Sequence, residues 1–305
     1  MLCIAAGALA AASLLAPLAC ALWPALARLW LRAVFIPVSG ALSALADRCP
    51  FPLFELLAPL FLALLLFCLF RHRRAACLLL AVALAGYGFC WAPAYFLPDQ
   101  YSVEAEADAA SLTVLCAALV QRLNAQPPPD IPADLGAQAL DAAALAVTPA
   151  PVRAAPKAVR CPEWMRALSL AGLYAPWTGE ALYDDTAPAA GQPFTAVHEL
   201  MHMGGVADEG QANIHAYIAC QRYGGAFAYS ADLWALKYAA EALLALDAQA
   251  CAARLSALGD AARRDLSALG LSAAEPAAPA LLPSAIAQKT GDYGALAAWL
   301  AARIV

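Results

Sequence analysis

The residues with the clearest chemistry are the two histidines of the run His198-Glu199-Leu200-Met201-His202. A helix places residues i and i+4 on one face, so both imidazoles point at a common position. This HExxH pattern is typical of zinc sites in which three protein ligands leave one coordination position open. The acid between the histidines can take a proton from an attacking water, which makes Glu199 the candidate general base.

A third ligand is expected close behind the motif. Gly204 and Gly205 can end the helix and return the chain towards the site, and two acids, Asp208 and Glu209, follow. Asp208 also has the position of a helix N-cap, with Gln211 as the other half of a capping box. We therefore predict Glu209 as the third ligand, with Asp208 as the alternative.

Other polar side chains near the motif are candidates for supporting roles. Asn213 lies four residues after Glu209 on the predicted helix and is expected to hydrogen-bond a ligating imidazole. His215 is turned away from Glu209 and is predicted to be a core or surface residue, not a ligand. Three tyrosines are candidate oxyanion donors or substrate contacts, with simple packing as the alternative: Tyr217, Tyr229 and Tyr183.

The chain resembles a bacterial family of zincin-like membrane proteins of unknown function. The run PFTAVHELMHMGGVADEGQANIHAYIAC is similar to that family's PFTxxHELAHQxGxxxEDEANFxAYLxC, and GLYAPWTGEAL, from Gly172 to Leu182, is similar to its GxYxPFTGEA segment. The resemblance implies a zincin-like metallopeptidase fold, a Zn²⁺ cofactor and three N-terminal spans. It also implies that Glu209, in the E-x-x-A-N position, is a zinc ligand. It implies no particular substrate.

The composition predicts an integral membrane protein. Of 305 residues, 63% are hydrophobic and 13% are charged, and the mean hydropathy is +0.65. Three apolar segments are each long enough to cross a hydrocarbon layer of about 30 Å as a helix: residues 2–27, 51–70 and 75–98. Residues 29–47 are expected to form an amphipathic helix at the membrane surface. No basic residue precedes the first segment, which favours a retained span over a cleaved signal peptide.

The charge pattern predicts the orientation. The cluster Arg71-His72-Arg73-Arg74 lies between the second and third segments and is expected in the cytoplasm, whereas the chain turns acidic after the third segment, with Asp99, Glu104, Glu106 and Asp108. We therefore expect a cytoplasmic N-terminus and an extracytoplasmic domain over residues 99–305. A net charge of −5 and the absence of a basic stripe exclude nucleic acid as an expected partner.

The residues after 98 predict a mainly α domain with a short strand or hairpin over Leu168–Tyr183. Helices are expected at residues 106–124, 208–222, 230–246, 249–269 and 295–304. In zincins a strand beside the active-site helix binds extended substrate by edge pairing, so residues 172–183 are expected to contact substrate. A hairpin that only covers the core is the alternative.

These observations lead to two hypotheses of different classes. The first is a membrane-anchored zinc metallopeptidase in which His198, His202 and Glu209 bind Zn²⁺ and Glu199 activates water against a peptide bond. The second is a non-catalytic zinc-binding membrane scaffold or receptor, in which the metal is structural. The acid between the two histidines favours the enzyme, because a structural site does not need it.

Overall fold

The fold begins with apolar helices, described here from a computed structural model that covers residues 2–103, 107–270 and 294–304. Four helices among these residues are long and apolar enough to cross a membrane. They are α1 (Leu2–Leu22), α2 (Pro24–Ala46), α3 (Leu53–Arg71) and α4 (Arg73–Phe96). The sequence predicted three spans and a surface helix over residues 29–47. The predicted end of the first span at residue 27 is wrong, because the chain is extended at Trp23 and α2 begins at Pro24; α2 includes most of the predicted surface helix. Both α2 and α4 contain a π turn, at Leu31–Phe35 and Ala85–Phe89.

The rest of the chain is mainly helical, as predicted. Its helices are α5 (Ala109–Ala125), α6 (Leu135–Ala143), α7 (Glu163–Ala167), α8 (Gln192–Met203), α9 (Glu209–Tyr223), α10 (Gly225–Leu246), α11 (Ala248–Leu255), α12 (Asp260–Ala268) and α13 (Gly294–Ile304). The single helix predicted over residues 249–269 is wrong: it divides into α11 and α12, where Gly259 donates its N–H to Asn124 Oδ1 at 2.7 Å. Glu104 and Glu106 of the predicted acidic run lie outside the described residues.

A three-stranded sheet lies beside α8. Its strands are β1 (Lys157–Ala158), β2 (Gly172–Ala175) and β3 (Glu180–Tyr183), in the order β1-β3-β2. The antiparallel pair β2 and β3 forms the predicted hairpin, whereas β1, which pairs parallel to β3, was not predicted. β2 therefore has one unpaired edge within the described sheet.

Glu180 on β3 ties this sheet to the start of α3. Its carboxylate accepts hydrogen bonds from the backbone N–H groups of Leu53 and Phe54, both at 2.9 Å. It also pairs with Lys157 on β1 at 3.0 Å, and the same ammonium group donates to the carbonyl of Ala46 at the end of α2. Because the first turn of a helix leaves N–H groups without partners, Glu180 acts as a cap supplied from outside the helix.

Glu55 makes the reciprocal connection from α3 to the sheet side. Its carboxylate accepts three hydrogen bonds of 2.7–3.0 Å, from Arg160 N, Cys161 N and Trp164 Nε1. Glu180 thus binds backbone groups at the start of α3, whereas Glu55 on α3 binds backbone groups of the segment that follows β1. The two carboxylates connect the start of α3 to the sheet and to the residues that follow β1.

The hydrophobic core is continuous from the apolar helices to the helical part. One cluster of buried residues contains Phe35 from α2 and Trp91 and Tyr95 from the last turns of α4, together with the apolar sides of α8, α9 and α10. The predicted boundary between residues 98 and 99 therefore does not separate two cores.

Candidate metal centre

The local sequence of α8 explains how the two histidines are presented. Pro193 lies in the first turn, where its missing N–H costs nothing. The helix ends at Met203 with Gly204 as its C-cap, and Gly205 adopts a left-handed φ of +85°. That reversal brings Val206 back over the last turn, where its N–H donates to Met201 O at 3.1 Å. The predicted break after the motif is confirmed.

The three predicted ligands meet in one cluster. The Nε2 atoms of His198 and His202 are 3.0 Å apart, and Glu209 places its carboxylate oxygens 3.1 Å from the first and 3.4 Å from the second. In a tetrahedral zinc site with bonds of about 2.0–2.1 Å, neighbouring ligand atoms are about 3.3 Å apart. The donor types and their separations therefore fit a Zn²⁺-sized cation.

The orientation of His202 is set by a backbone group. Its Nδ1 lies 2.7 Å from the carbonyl oxygen of Val206, so Nδ1 carries the proton and donates it, and Nε2 presents its lone pair to the cluster. The hydrogen bond predicted from Asn213 to an imidazole is not formed. Both polar side-chain atoms of Asn213 are buried without a hydrogen-bond partner, as is Nδ1 of His198.

Electrostatics couple the acid to the two imidazoles. Burial alone would lower the pKa of His202, but the adjacent Glu209 carboxylate reverses this effect and raises the pKa to about 9. Burial would raise the pKa of Glu209, but the charge of His202 and hydrogen bonds from both histidines hold it below its usual range. The site therefore favours an ionised carboxylate and a net positive charge opposite it, which a metal cation can supply.

Glu199 lies on the same helix and faces β2. Its side chain is buried, and burial raises its pKa above the usual value, although the neighbouring His198 opposes the shift. The backbone N–H of Tyr174, near the carboxylate, opposes the pKa shift as well. Gly172 comes so close that a Cβ built there would stand 2.4 Å from Oε1 of Glu199. Glycine at this position leaves the room that the carboxylate occupies.

Asp208 has the capping role that its position predicted. Its carboxylate accepts the N–H of Gln211 at 2.8 Å at the start of α9. The other half of the predicted capping box is wrong. The Gln211 side chain instead binds both backbone groups of Tyr101, at 2.7 and 3.1 Å. Of the two candidate acids, only Glu209 belongs to the ligand cluster.

A family comparison covers most of the chain. The family described as "Protein of unknown function (DUF3810)" matches residues 30–275. The chain belongs to this family. No curated protein and no solved structure matches it. The family's description names no reaction.

In this DUF3810 member the three candidate tyrosines lie in different environments. Tyr217 is two turns along α9 from Glu209, about 12 Å, and donates to Asp232 at 3.0 Å. Tyr229 donates to Asp265 at 2.7 Å. Neither hydroxyl is directed at the ligand cluster. Tyr183 is the cross-strand partner of Gly172 and is therefore the tyrosine of the three that borders Glu199 through the sheet.

Aromatic residues that the sequence did not single out cover the ligand cluster. The ring of Trp91 meets His202 edge-on, with centroids 6.2 Å apart, and lies 5.0 Å from the ring of Tyr174. The ring centroid of Phe35 lies 5.8 Å from that of Trp91. His215, as predicted, is a core residue: it packs against Tyr101 and is not part of the cluster. The only sequence signal for this cover is the presence of aromatics at the ends of apolar segments.

Proposed function

We propose that this chain is a membrane-anchored zinc metallopeptidase that hydrolyses peptide bonds. The observation that carries the proposal is the convergence of His198, His202 and Glu209, whose ligand atoms all lie within 4.8 Å of one another. A buried acid, Glu199, stands next to them on the same helix. Two imidazoles, one carboxylate and a separate acid form the donor set that a hydrolytic zinc site needs.

The metal ligands and Glu199 have separate roles in the proposed hydrolysis. A Zn²⁺ held by His198, His202 and Glu209 would supply Lewis acidity to the water and to the scissile carbonyl. The carboxylate of Glu199 accepts a proton as water attacks the carbonyl carbon, and it then donates that proton to the leaving amine nitrogen. Glu199 lies on the same helix as both histidines and is buried beside them, a position from which one carboxylate can serve both steps.

The free edge of β2 supports extended peptide as the substrate form. The N–H of Asp184 donates to the carbonyl of Ala171 at 3.0 Å, and bonded and non-bonded pairs alternate along an antiparallel ladder. Gly172 and Tyr174 therefore direct their backbone polar groups away from β3. Gly172 lies against Glu199, so its outward backbone groups are placed to pair with a substrate strand next to the proposed general base.

Metal analysis tests the ligand set. Detergent-purified protein is assayed by elemental mass spectrometry as wild type, His198→Ala, Glu209→Ala and Asp208→Ala. We expect about one zinc per chain in the wild type and in Asp208→Ala, the matched control, and loss of zinc in the other two. Retention of zinc in Glu209→Ala would contradict the proposed third ligand.

Hydrolysis tests the role of Glu199. A mixture of internally quenched fluorescent peptides is incubated with the wild type and with Glu199→Gln, which keeps the size of the side chain but cannot take a proton. We expect at least a hundredfold slower cleavage by the variant, with its zinc content unchanged. Equal cleavage by both proteins would contradict the mechanism.

A structural metal is the second candidate, and the burial of the cluster favours it: His198 and His202 are 9% and 6% exposed beneath Trp91. A structural site is closed, whereas a catalytic site keeps a coordination position for an exchangeable ligand. Cobalt-substituted protein distinguishes the two. A change of its visible spectrum on adding acetohydroxamate indicates the open site of an enzyme, and an unchanged spectrum indicates a scaffold.

A further inference from the structure

The length of α4 gives the height of the metal centre above one membrane surface. The basic cluster Arg71–Arg74 cannot enter the hydrocarbon and marks one boundary. Trp91 follows Arg73 by 18 residues, and because Ala85–Phe89 are a π turn, this segment is at most about 27 Å long, close to the hydrocarbon thickness of about 30 Å. The ring of Trp91 contacts His202. The ligand cluster therefore lies at the level of the opposite boundary.

α3 leads to the same level independently. Leu53 precedes Arg71 by about 18 residues, again about 27 Å. Its backbone N–H is bound by Glu180, on the strand that pairs with β2. The sheet beside Glu199 is thus also held at the boundary opposite the basic cluster.

α2 lies along this boundary instead of crossing it. Near its start, Trp30 Nε1 donates to Phe89 O at 2.7 Å, at about 24 Å along α4 from the basic cluster. Near its end, Ser43 Oγ donates to the carbonyl of Gly179 at 2.6 Å, next to Glu180. These two contacts are separated by about 20 Å along α2. Their distances from the level of the basic cluster, measured along α4 and α3, differ by only a few ångströms.

The exposed side of α2 fits a position in the interface. Leu29 and Leu45 are 61% and 56% exposed, and Arg28 and Arg32 are exposed on either side of Leu29. Apolar side chains directed at acyl chains, with arginines that extend to the headgroups, are typical of helices in the membrane plane.

The tip of the β2–β3 hairpin extends from this boundary into the hydrocarbon, towards the side of the basic cluster. Trp177 donates its indole N–H to the carbonyl of Ala83 at 3.0 Å and stacks between Phe54 and Tyr87, with both centroid distances 6.3 Å. Ala83 and Tyr87 lie about 15 and 21 Å along α4 from Arg73. Trp177 is still 42% exposed, so its free side faces acyl chains. β2 rises from this tip to Glu199.

We infer that the metal centre lies at the membrane surface, bordered by α2, and that its substrate is a membrane-anchored polypeptide cleaved near the point where it leaves the bilayer. A chain that emerges beside Trp177 and pairs with β2 reaches Gly172 after about five residues, or about 17 Å. Scissile bonds are therefore expected within about ten residues of the anchor. The cleavage part of this inference rests on the proposed function; the position of the site does not.

Depth-dependent quenching tests the position without hydrolysis. The protein is reconstituted into vesicles whose phosphatidylcholine is brominated either high on the acyl chain or at its end, and tryptophan fluorescence is compared between the wild type and Trp177→Phe. The difference signal of Trp177 should be quenched by bromine high on the chain. The matched control, Trp234→Phe, removes a tryptophan bound to Gly191 O, and its difference signal should not be quenched. No quenching of Trp177 would overturn the inference.

A paired substrate tests the class. One polypeptide carries a transmembrane helix followed by a 40-residue unstructured tail, and the other is the same tail alone. We expect the reconstituted enzyme to cleave the anchored tail at least tenfold faster, within about ten residues of the membrane. Equal rates, or cleavage spread along the tail, would overturn the substrate class. If neither is cleaved by zinc-loaded protein, the proposed peptidase function fails, and quenching still decides the position.

Discussion

Gly172 on β2 and Glu199 on α8 are in direct contact, and the missing side chain of the first makes room for the carboxylate of the second. A Cβ at position 172 would stand 2.4 Å from Oε1 and 2.6 Å from Cγ of Glu199. Gly172→Ala should therefore displace the carboxylate without removing a metal ligand. Because small misplacements of a catalytic group are costly, we expect hydrolysis to fall by about a hundredfold, with the zinc content unchanged.

The control for this substitution is Gly7→Ala. A Cβ at Gly7 would meet nothing within 4 Å, so this variant should cleave at the wild-type rate. If Gly172→Ala cleaves as fast as Gly7→Ala, the proposed contact does not position Glu199.

Of the two adjacent acids, Asp208 should affect the stability of the fold and Glu209 should affect metal binding. Asp208→Ala removes the cap on Gln211 N and should lower the free energy of unfolding by about 1 kcal/mol, with zinc retained. Asp208→Asn keeps a capping oxygen and should restore most of that loss. Thermal unfolding in detergent together with metal analysis measures both properties. Loss of zinc in Asp208→Asn would show that Asp208 is itself a ligand.

His215 should make the protein sensitive to acid. Its side chain is 1% exposed, and burial lowers its pKa from 6.5 to about 4. The unfolded chain therefore binds a proton that the folded chain excludes, so this stability is present above pH 6.5 and is lost as the pH falls towards 4. The loss is about 3 kcal/mol at most. Melting temperatures from pH 7 to pH 4 should fall less in His215→Leu than in the wild type, whereas His72→Gln, at an exposed site, should follow the wild type.

Lys157 and Glu180 should be energetically coupled. The pair is 3.0 Å apart, with side chains 17% and 2% exposed. Glu180→Gln leaves the ammonium without its countercharge, and we expect a loss of about 3 kcal/mol. Lys157→Met in the same chain should recover part of it, because the unpaired charge is removed. A double-mutant cycle on thermal unfolding measures the coupling, and strict additivity of the two losses would contradict it.

Local patterns were sufficient for much of the site. The i, i+4 spacing of His198 and His202, the glycines that follow, and the choice of Glu209 over its capping neighbour all depend on geometry within one helical hairpin. The same is true of the mainly helical architecture and of the β2–β3 hairpin. Such features follow from residues close in sequence, whose relative placement helix and turn geometry restrict.

The parts that the sequence did not predict depend on distant residues or on backbone atoms. Phe35, Trp91 and Tyr174 come together over His202 from three separate segments, and no spacing rule connects them. The hydrogen-bond partner of His202 is the Val206 carbonyl and not the Asn213 side chain. Because every residue has a backbone carbonyl, residue types do not predict this contact. β1 follows a loop and has only two residues. A strand of that length is too short to show any periodicity.

The buried cluster that includes residues on both sides of residue 98 makes the apolar helices part of the surroundings of the ligand cluster. Phe35 and Trp91 belong to the apolar helices, yet they form the cover of the ligand cluster. A chain that begins after α4 would keep both histidines and Glu209 but would lack these two aromatic rings. The apolar helices are thus part of the folding unit that holds the ligand cluster, and we expect a fragment without them to be unstable in water.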